Sequence, residues 1–216
     1  MGINKSYGVF GLGRYGRAVA AELVNSGAEV MAVDVDMETV NAAIQEIPFC
    51  KCADVTDPEV IKQLGTEELD VVIIAMASNF EASVMATMLC KQVGVETVIA
   101  KCANEMHREI LCRVGADRVV SPETESGTRL AKNLVSSGFV DIMELSRDVS
   151  LVELDIKPEW EGRSLIELNL RKKYAINVVA VKSAGAITCN VDPEKPLVSG
   201  TRLVIIGDND NIAKIR

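Results

Sequence analysis

Residues 8–24, GVFGLGRYGRAVAAELV, decide how this chain begins to fold. An apolar stretch runs into Gly11-Leu12-Gly13-Arg14-Tyr15-Gly16, a G-x-G-x-x-G loop, and a helical pattern follows at once. The first glycine permits a tight turn, the second lets a pyrophosphate approach the backbone, and the third lets the helix pack close to the strand. The N-terminus of that helix offers unpaired N–H groups and a partial positive charge to phosphate. In this strand–turn–helix context the motif predicts adenine-nucleotide binding.

Apolar strand-like runs alternate with helix-period stretches up to about residue 122. The predicted strands are 7–11, 29–35, 49–53, 70–76, 97–102 and 118–121. The predicted helices between them are 14–26, 37–47, 57–64, 80–93 and 104–114. Short apolar strands joined by helices indicate a parallel sheet covered on both faces. The pattern therefore predicts an α/β fold with a Rossmann-like, doubly wound sheet.

The pattern changes after this sheet. Residues 123–138 read as one more helix with an apolar stripe, and the spacing alone allows that helix to pack on its own sheet. From about residue 145 the chain is strand-rich, in the stretches SLVELDI, RSLIELNLRKKY, INVVAVK, AITCNV and TRLVIIGD. We therefore predict two domains, a nucleotide-binding domain over 1–140 that includes helix 123–138, and a small α+β domain over 145–216.

Composition and charge exclude several classes of function. The net charge is −8 and no run of more than three basic residues occurs, so we do not expect sequence-independent nucleic-acid binding. The longest apolar run, Val71 to Ala77, is far shorter than the ~20 residues of a membrane-spanning helix. The only histidine, His107, lies in a charged helical stretch, where we expect it at the surface or against a partner. With no recognisable catalytic arrangement, we expect a cytoplasmic protein that is not an enzyme.

Three acidic residues follow the second and third strands. Asp34 stands where an acid binds the ribose hydroxyls, and it disfavours ligands with a 2′-phosphate. Asp36 can substitute for it or act as a solvated acid at a helix N-terminus. Asp54 falls where the adenine or its ribose would rest, and it serves equally well as a cap or turn residue.

Arg14 bears on whether the ligand is a redox cofactor or a signal. Pyrophosphate binding in such a loop needs no side-chain charge, whereas a guanidinium suits the additional charge of a β- or γ-phosphate. The alternatives for Arg14 are a solvated side chain or one tied to a nearby acid. An NAD-linked oxidoreductase, or a protein that binds NAD or NADH as a redox signal, shares the loop and Asp34 and stays open as an alternative.

Four longer stretches together resemble the RCK family, also called the TrkA-N/TrkA-C family. They are YGVFGLGRYGRAVAAELVNSGAEVMAVDVD, CADVTDPEVIKQLG, DVVIIAMASNFEAS and GADRVVSPETESG, and the resemblance extends over essentially the whole chain. It implies a non-catalytic regulatory subunit that binds ATP or ADP. Such proteins form homodimers that assemble into an octameric ring beneath a KtrB-like membrane subunit that translocates potassium. The implied location is the cytoplasm, at the inner face of the membrane.

The resemblance also implies roles for individual residues. Gly11, Gly13 and Gly16 match the phosphate loop, Arg14 matches an arginine that senses the terminal phosphate, and Asp34 matches the ribose-binding acid. The other candidate nucleotide contacts are Tyr15, Asp36, Asp54, Val55, Ala77, Ser78, Asn79, Lys101 and Glu123. For Lys101 a structural salt bridge is an equal alternative.

Two further sites follow from the resemblance. Glu123 falls where relatives place a carboxylate near the phosphates, where it can help hold Mg²⁺ or Ca²⁺ at the dimer interface. Its alternative role is to stabilise the start of helix 123–138, which matches the family's crossover helix and packs on the partner subunit. In some relatives the C-terminal module binds cyclic di-AMP. The polar candidates for that ligand are Asn169, Arg171 and Asn177, which can equally be solvated helix residues.

Overall fold

The computed structural model of the protein describes residues 5–135 and 139–215. The chain divides into two compact units between Pro122 and Glu123. The predicted domain limits, 1–140 and 145–216, stay a prediction, and residues 1–4 and 136–138 of the first predicted domain lie outside the described residues. Across the described part of the chain, no helix is long and apolar enough to cross a membrane.

Six parallel strands form the sheet of the first unit. They are β1 (Ser6–Phe10), β2 (Glu29–Asp34), β3 (Cys50–Cys52), β4 (Val71–Ile74), β5 (Thr97–Lys101) and β6 (Arg118–Val120). Their order is β3-β2-β1-β4-β5-β6, so the connections run to one side from β1 and then to the other from β4. This is the predicted doubly wound sheet, and the reversal between β1 and β4 creates a crevice at the carboxyl ends of the strands.

Five helices connect these strands. They are α1 (Arg14–Asn25), α2 (Met37–Ala43), α3 (Pro58–Gln63), α4 (Phe80–Gln92) and α5 (Glu105–Arg113). Each lies within its predicted range. An Asp or Asn side chain accepts hydrogen bonds from the first turn of four of them, and these caps are Asp36, Asp57, Asn79 and Asn104.

The parallel sheet is buried on both faces because neighbouring strand residues point to opposite sides. Val9 belongs to the cluster on one face, together with Ala32 and Ile73. Phe10 belongs to the cluster on the other face and is fully buried there. This two-sided burial explains why the central strands read as continuous apolar runs in the sequence.

The second unit begins within the first turn of α6 (Pro122–Val135) and continues into an antiparallel sheet. Its strands are β7 (Phe139–Glu144), β8 (Val149–Asp155), β9 (Asn177–Ser183), β10 (Ala186–Thr188) and β11 (Arg202–Asp208), in the order β10-β9-β11-β8-β7. The short helices α7 (Leu165–Leu168), α8 (Leu170–Tyr174) and α9 (Asn209–Ala213) complete it. Leu154, Leu203 and Ile205 lie in the core of this unit. The predicted α+β architecture is confirmed.

Two elements of the second unit differ from their sequence patterns. The stretch RSLIELNLRKKY, predicted within the strand-rich region, forms α7 and α8. Helix α7 starts there because Ser164 and Glu167 form a reciprocal capping box. On α6, Leu130 and Leu134 of the predicted apolar stripe are 59% and 76% exposed. These two side chains are therefore not buried by the described part of this chain.

Candidate functional site

The glycine loop joins β1 to α1 at the crevice of the parallel sheet. Gly11 has a φ of +94°, and a Cβ there would lie 3.2 Å from the backbone nitrogen of Met76. A Cβ on Gly16 would lie 1.9 Å from the carbonyl oxygen of Gly11. The first glycine therefore makes the turn, and the third lets α1 approach the loop to a distance that any side chain would prevent.

The N-terminus of α1 differs from the other helix starts of the first unit. Gly13 occupies the cap position with no side-chain hydrogen bond, and the first turn contains no acidic residue. A Cβ on Gly13 would meet no heavy atom within 4 Å. The helix dipole there is therefore not offset by a carboxylate of the helix's own first turn. This is the arrangement that binds phosphate.

Asp34 lies at the end of β2, directly beside this loop. Its Oδ2 accepts a hydrogen bond from the N–H of Leu12 at 2.6 Å, and its Oδ1 accepts one from the N–H of Asp36 at 3.0 Å. These two bonds hold the carboxylate at the rim of the loop. Each oxygen retains lone pairs for further donors, such as the hydroxyls of a ribose.

Asp36 serves as the cap of α2. Its carboxylate accepts hydrogen bonds from the Thr39 hydroxyl at 2.6 Å and from the backbone N–H groups of Glu38 and Thr39. The bond from the Thr39 hydroxyl, followed by that from the N–H of Glu38, lowers the pKa of Asp36. The structure thus shows the helix-terminal role that the sequence allowed for Asp36.

A groove of about 440 Å³ opens beside Gly11 and Asp34. Its lining residues are Gly11, Val33, Asp34, Val35, Ala53, Asp54, Val55, Thr56, Met76, Asn79, Glu81, Ala82 and Met85. Five of these are predicted site residues, namely Gly11, Asp34, Asp54, Val55 and Asn79. The ends of β1, β2 and β3 and the start of α4 bring them together.

The other lining residues carry no motif of their own. Thr56 follows two predicted residues directly, and Glu81 and Ala82 stand two and three positions after Asn79. Met85 lies one helical turn further along α4. The sequence therefore indicates these residues in two ways only. They stand close to predicted site residues along the chain, and the helical period places one side of α4 along the groove.

Asp54 both lines the groove and forms a turn, so the two roles that the sequence left open are compatible. Its Oδ1 accepts hydrogen bonds from the Thr56 hydroxyl at 2.7 Å and from the Thr56 N–H at 3.0 Å. The hydroxyl bond, followed by the backbone bond, lowers the pKa of Asp54. The groove therefore presents an ionised carboxylate at neutral pH.

The remaining predicted residues do not line the groove. Arg14 is the first residue of α1 and is exposed, and its guanidinium makes no hydrogen bond or ion pair among residues 5–135 and 139–215. Lys101 ends β5, and its ammonium lies 5.4 Å from the centroid of the Tyr15 ring in the glycine loop. Ala77 and Ser78 lie in the connection from β4 to α4, the first buried and the second exposed.

Glu123 lies in the first turn of α6, in the second unit. Within the described residues, no group of three or more His, Cys, Asp or Glu side chains is arranged to hold a metal ion. A divalent-cation role for Glu123 stays a prediction.

A second pocket lies within the C-terminal unit and measures about 460 Å³. It is lined by Leu165, Ile166, Asn169, Leu170, Arg171, Ile176, Asn177 and Val178. The three polar candidates for a C-terminal ligand, Asn169, Arg171 and Asn177, are thus brought together. Asn169 adopts a φ of +46° at the junction of α7 and α8, which turns the chain sharply between the two helices.

His107 occupies a different place from the surface position that its charged neighbours predict. It is 2% exposed and shares the buried side of α5 with Leu111, one turn later. The surface prediction was wrong because the helical spacing to Leu111, rather than the polarity of adjacent residues, sets which side faces inward.

Family models match both parts of the chain. The model of the TrkA-N domain matches residues 7–122, and the model of the TrkA-C domain matches residues 149–216. Ktr system potassium uptake protein C of Bacillus subtilis (strain 168) is 35% identical over 212 residues, covering 98% of this chain and 96% of that protein. Ktr system potassium uptake protein A of the same strain is 33% identical over 211 residues, covering 98% of this chain and 95% of that protein.

Solved structures show the same fold. The GsuK channel matches with a TM-score of 0.71 at 18% identity, covering 98% of this chain and 38% of that chain. A structure of the GsuK channel bound to NAD matches with a TM-score of 0.53 at 21% identity, with the same coverage. This chain spans less than half the length of those channel chains.

Proposed function

The chain belongs to the family of proteins built from a TrkA-N and a TrkA-C domain, and we propose that it is the nucleotide-sensing regulatory subunit of a potassium uptake system. Two relatives of nearly equal length are potassium uptake proteins by name. In this proposal the chain catalyses no reaction. It gates the transporter because ATP and ADP bind with different affinities to two conformations of the assembly.

One observation supports this proposal most directly: no side chain caps the N-terminus of α1, and the Asp34 carboxylate is bound to the N–H of Leu12 in the loop that leads into this helix. The N–H groups of that helix bind phosphate oxygens, and Asp34 accepts hydrogen bonds from the ribose hydroxyls. The groove lined by Asp54 and Val55 holds the adenine. A side-chain acid or base poised for chemistry is not needed for this role.

In this proposal Arg14 distinguishes ATP, which has three phosphates, from ADP, which has two. It stands at the first position of α1, beside the phosphate loop, and no acid among the described residues holds its guanidinium. A planar, always charged guanidinium binds a terminal phosphate through paired hydrogen bonds. In an assembled dimer that phosphate belongs to a nucleotide in the same subunit or in the neighbouring one.

Calorimetric titration with ATP, ADP and NADH tests the proposal on the wild type and on Arg14→Ala. We expect tight binding of ATP and ADP, with the substitution weakening ATP by about tenfold more than ADP, because hydrogen bonds to charged groups contribute ~1.5–3 kcal/mol. Arg17→Ala is the matched control, since Arg17 is engaged by Glu46 at 2.8 Å and should leave both affinities unchanged. Preferred binding of NADH with no effect of Arg14→Ala would contradict the proposal.

The proposal includes an assembly at the membrane. Homodimers form through α6, whose Leu130 and Leu134 are exposed in the single chain, and four dimers close an octameric ring. The ring docks on the cytoplasmic face of a KtrB-like membrane subunit. Glu123 of each subunit helps to hold Mg²⁺ or Ca²⁺ near the nucleotide phosphates at the dimer interface.

A second regulatory ligand is proposed for the C-terminal unit. The pocket that gathers Asn169, Arg171 and Asn177 offers amide groups and one guanidinium beside the apolar side chains of Leu165 and Ile176. Cyclic di-AMP combines two adenines with two phosphates, which matches this mixture of apolar and cationic groups.

The second candidate function is a sensor of NAD or NADH. Asp34 favours it, because a carboxylate at this position binds the ribose of NAD and repels the 2′-phosphate of NADP. A GsuK structure with the same fold is bound to NAD. The titration above separates the two candidates, since the NAD sensor requires NADH to bind more tightly than ADP.

A further inference from the structure

His107 is a buried imidazole at the start of α5 that the proposed nucleotide site does not use. Its Nδ1 accepts a hydrogen bond from the backbone N–H of Ala103 at 3.3 Å. Its own backbone N–H donates to the Asn104 side chain, which caps the helix. The edge of its ring meets Phe80 of α4, with the ring centroids 4.9 Å apart. The side chain thus joins the N-terminal turns of two neighbouring helices.

These contacts define the protonation state of the ring. Because Nδ1 accepts from the Ala103 N–H, the neutral imidazole carries its proton on Nε2. Nε2 is buried and has no hydrogen-bond partner within the described residues. A second proton would have to enter on Nδ1, facing an N–H donor, and would place a charge in a buried setting. Burial accordingly lowers the pKa of His107 from the ordinary value of 6.5.

Both segments that contact His107 lead directly to residues of the nucleotide site. Phe80 follows Asn79, which caps α4 through the N–H of Ala82 and lines the groove. Ala103 stands two residues after Lys101, whose ammonium lies over the Tyr15 ring of the glycine loop. Through its contacts with Phe80 and Ala103, a change at His107 therefore acts on the two segments that contain Asn79 and Lys101.

The elements around His107 carry charged residues of both signs. These residues are Glu81 and Lys91 on α4, Lys101 at the end of β5, and Glu105, Arg108, Glu109 and Arg113 on α5. Arg108 donates to the Val119 carbonyl and pairs with Glu105 at 3.4 Å. No described carboxylate forms an ion pair with the imidazole, so nothing in the described structure offsets a charge on the ring.

We propose that neutral His107 is a positioning residue of the nucleotide site, which holds Asn79 and Lys101 in place and releases them when it is protonated. The inference rests on the proposed nucleotide-binding function. Because the folded protein disfavours the proton, the positioning is complete above pH 6.5 and is lost as the pH falls through the lowered pKa of His107 in the folded protein. Nucleotide affinity therefore decreases on acidification.

The first test uses nuclear magnetic resonance on the wild-type protein purified without a histidine tag. His107 is the only histidine of the chain, so its ring signals need no assignment by mutation. We expect saturating ADP to lower the pKa of His107 further, because a proton that weakens ADP binding must itself be bound less tightly when ADP is present. An identical pKa with and without ADP overturns the inference.

The second test compares ADP affinity at pH 7.5 and pH 5.5 in the wild type and in His107→Asn. The amide oxygen of Asn takes the place of Nδ1 as acceptor for the Ala103 N–H but does not titrate. Phosphates of ADP titrate in the same pH range, and the variant controls for this because it binds the same ligand. For each pKa unit by which ADP shifts His107, the wild type should lose up to about tenfold more affinity than the variant.

Equal pH profiles in wild type and variant overturn the inference. If His107→Asn fails to fold, His107→Phe, which keeps a ring against Phe80 and does not titrate, takes its place with the same expectation. These measurements distinguish a failure of the inference about His107 from a failure of the proposed nucleotide-binding function. Absence of ADP binding to the wild type at pH 7.5 contradicts the nucleotide proposal, whereas tight binding with a profile shared by the variant contradicts only the role of His107.

Discussion

The groove of the first unit and the pocket of the second are built from different parts of the chain. In the groove, the phosphate end consists of backbone, namely the turn at Gly11 and the uncapped start of α1 at Gly13. In the pocket, the polar groups are the side chains of Asn169, Arg171 and Asn177, carried by two short helices and the start of β9. The two candidate sites have similar volumes, about 440 and 460 Å³.

This difference explains why one kind of binding site can be recognised from a sequence pattern and the other cannot. A site made of backbone requires glycines at defined spacings, because only glycine permits the turn and the close approach of helix to loop. A site made of side chains can use many residue types at many spacings. The glycine loop is therefore readable from one sequence, whereas Asn169, Arg171 and Asn177 were found only through a family resemblance.

The largest effect is expected at the backbone-built site. In Gly16→Ala the new Cβ would lie 1.9 Å from the Gly11 carbonyl oxygen, a backbone atom that cannot move without opening the loop. We expect nucleotide binding to be lost and the free energy of unfolding to fall by about 1–3 kcal/mol. Calorimetric titration and thermal melting measure the two effects.

Gly13→Ala is the matched control for this experiment. Its Cβ would meet no protein atom, and its φ of −62° suits alanine, so stability should be nearly unchanged while phosphate binding weakens. If Gly13→Ala destabilises the protein as much as Gly16→Ala, the loop does not have the described geometry.

An intermediate effect is expected at the Asp34 carboxylate. Asp34→Asn replaces one acceptor oxygen by an NH₂ group, which then faces the N–H of Leu12 or of Asp36. We expect the affinity for ADP to decrease roughly 10- to 100-fold, since a hydrogen bond to a charged group contributes ~1.5–3 kcal/mol. Asp36→Asn is the control, because Asn caps a helix as well as Asp does. Equal losses in both variants would remove Asp34 from the ribose site.

The smallest effect is expected at the side-chain-built pocket. Arg171→Ala removes its guanidinium and should weaken cyclic di-AMP binding about tenfold, without changing the affinity for ADP. Lys172→Ala, an exposed neighbour that does not line the pocket, serves as control. A loss of ADP binding in Arg171→Ala would show that the groove and the C-terminal pocket do not bind their ligands independently.

Much of the fold could be predicted because its signals are local. All six strands of the parallel sheet and the five connecting helices lie where the alternation of apolar runs and helical periods places them. The antiparallel unit was predicted less well, since the stretch from Ser164 to Tyr174 alternates like a strand yet forms α7 and α8. The capping box of Ser164 and Glu167 starts α7 here, because it satisfies backbone N–H groups that a strand would pair with a neighbouring strand.

The candidate site could be predicted in part. Gly11, Asp34, Asp54, Val55 and Asn79 line the groove, and each directly ends or follows a predicted strand or connects one to a helix. Thr56, in the connection from β3 to α3, was missed because it carries no motif of its own. Glu81 and Met85 were missed because their presence in the groove depends on how α4 lies along the crevice. That placement follows from packing of the helix on the sheet, which involves residues far apart in the chain.

By itself the sequence determined the doubly wound sheet and the position of the phosphate loop, because both depend on interactions between residues close along the chain. Tertiary structure alone decided which side of α5 faces inward, and it placed His107 against Phe80 and away from water. It also decided that Asp36 is occupied as a helix cap, while Asp34 is held at the rim of the groove. The physical reason is that burial and hydrogen-bond partners depend on which elements pack together, and residue spacing carries no direct record of that packing.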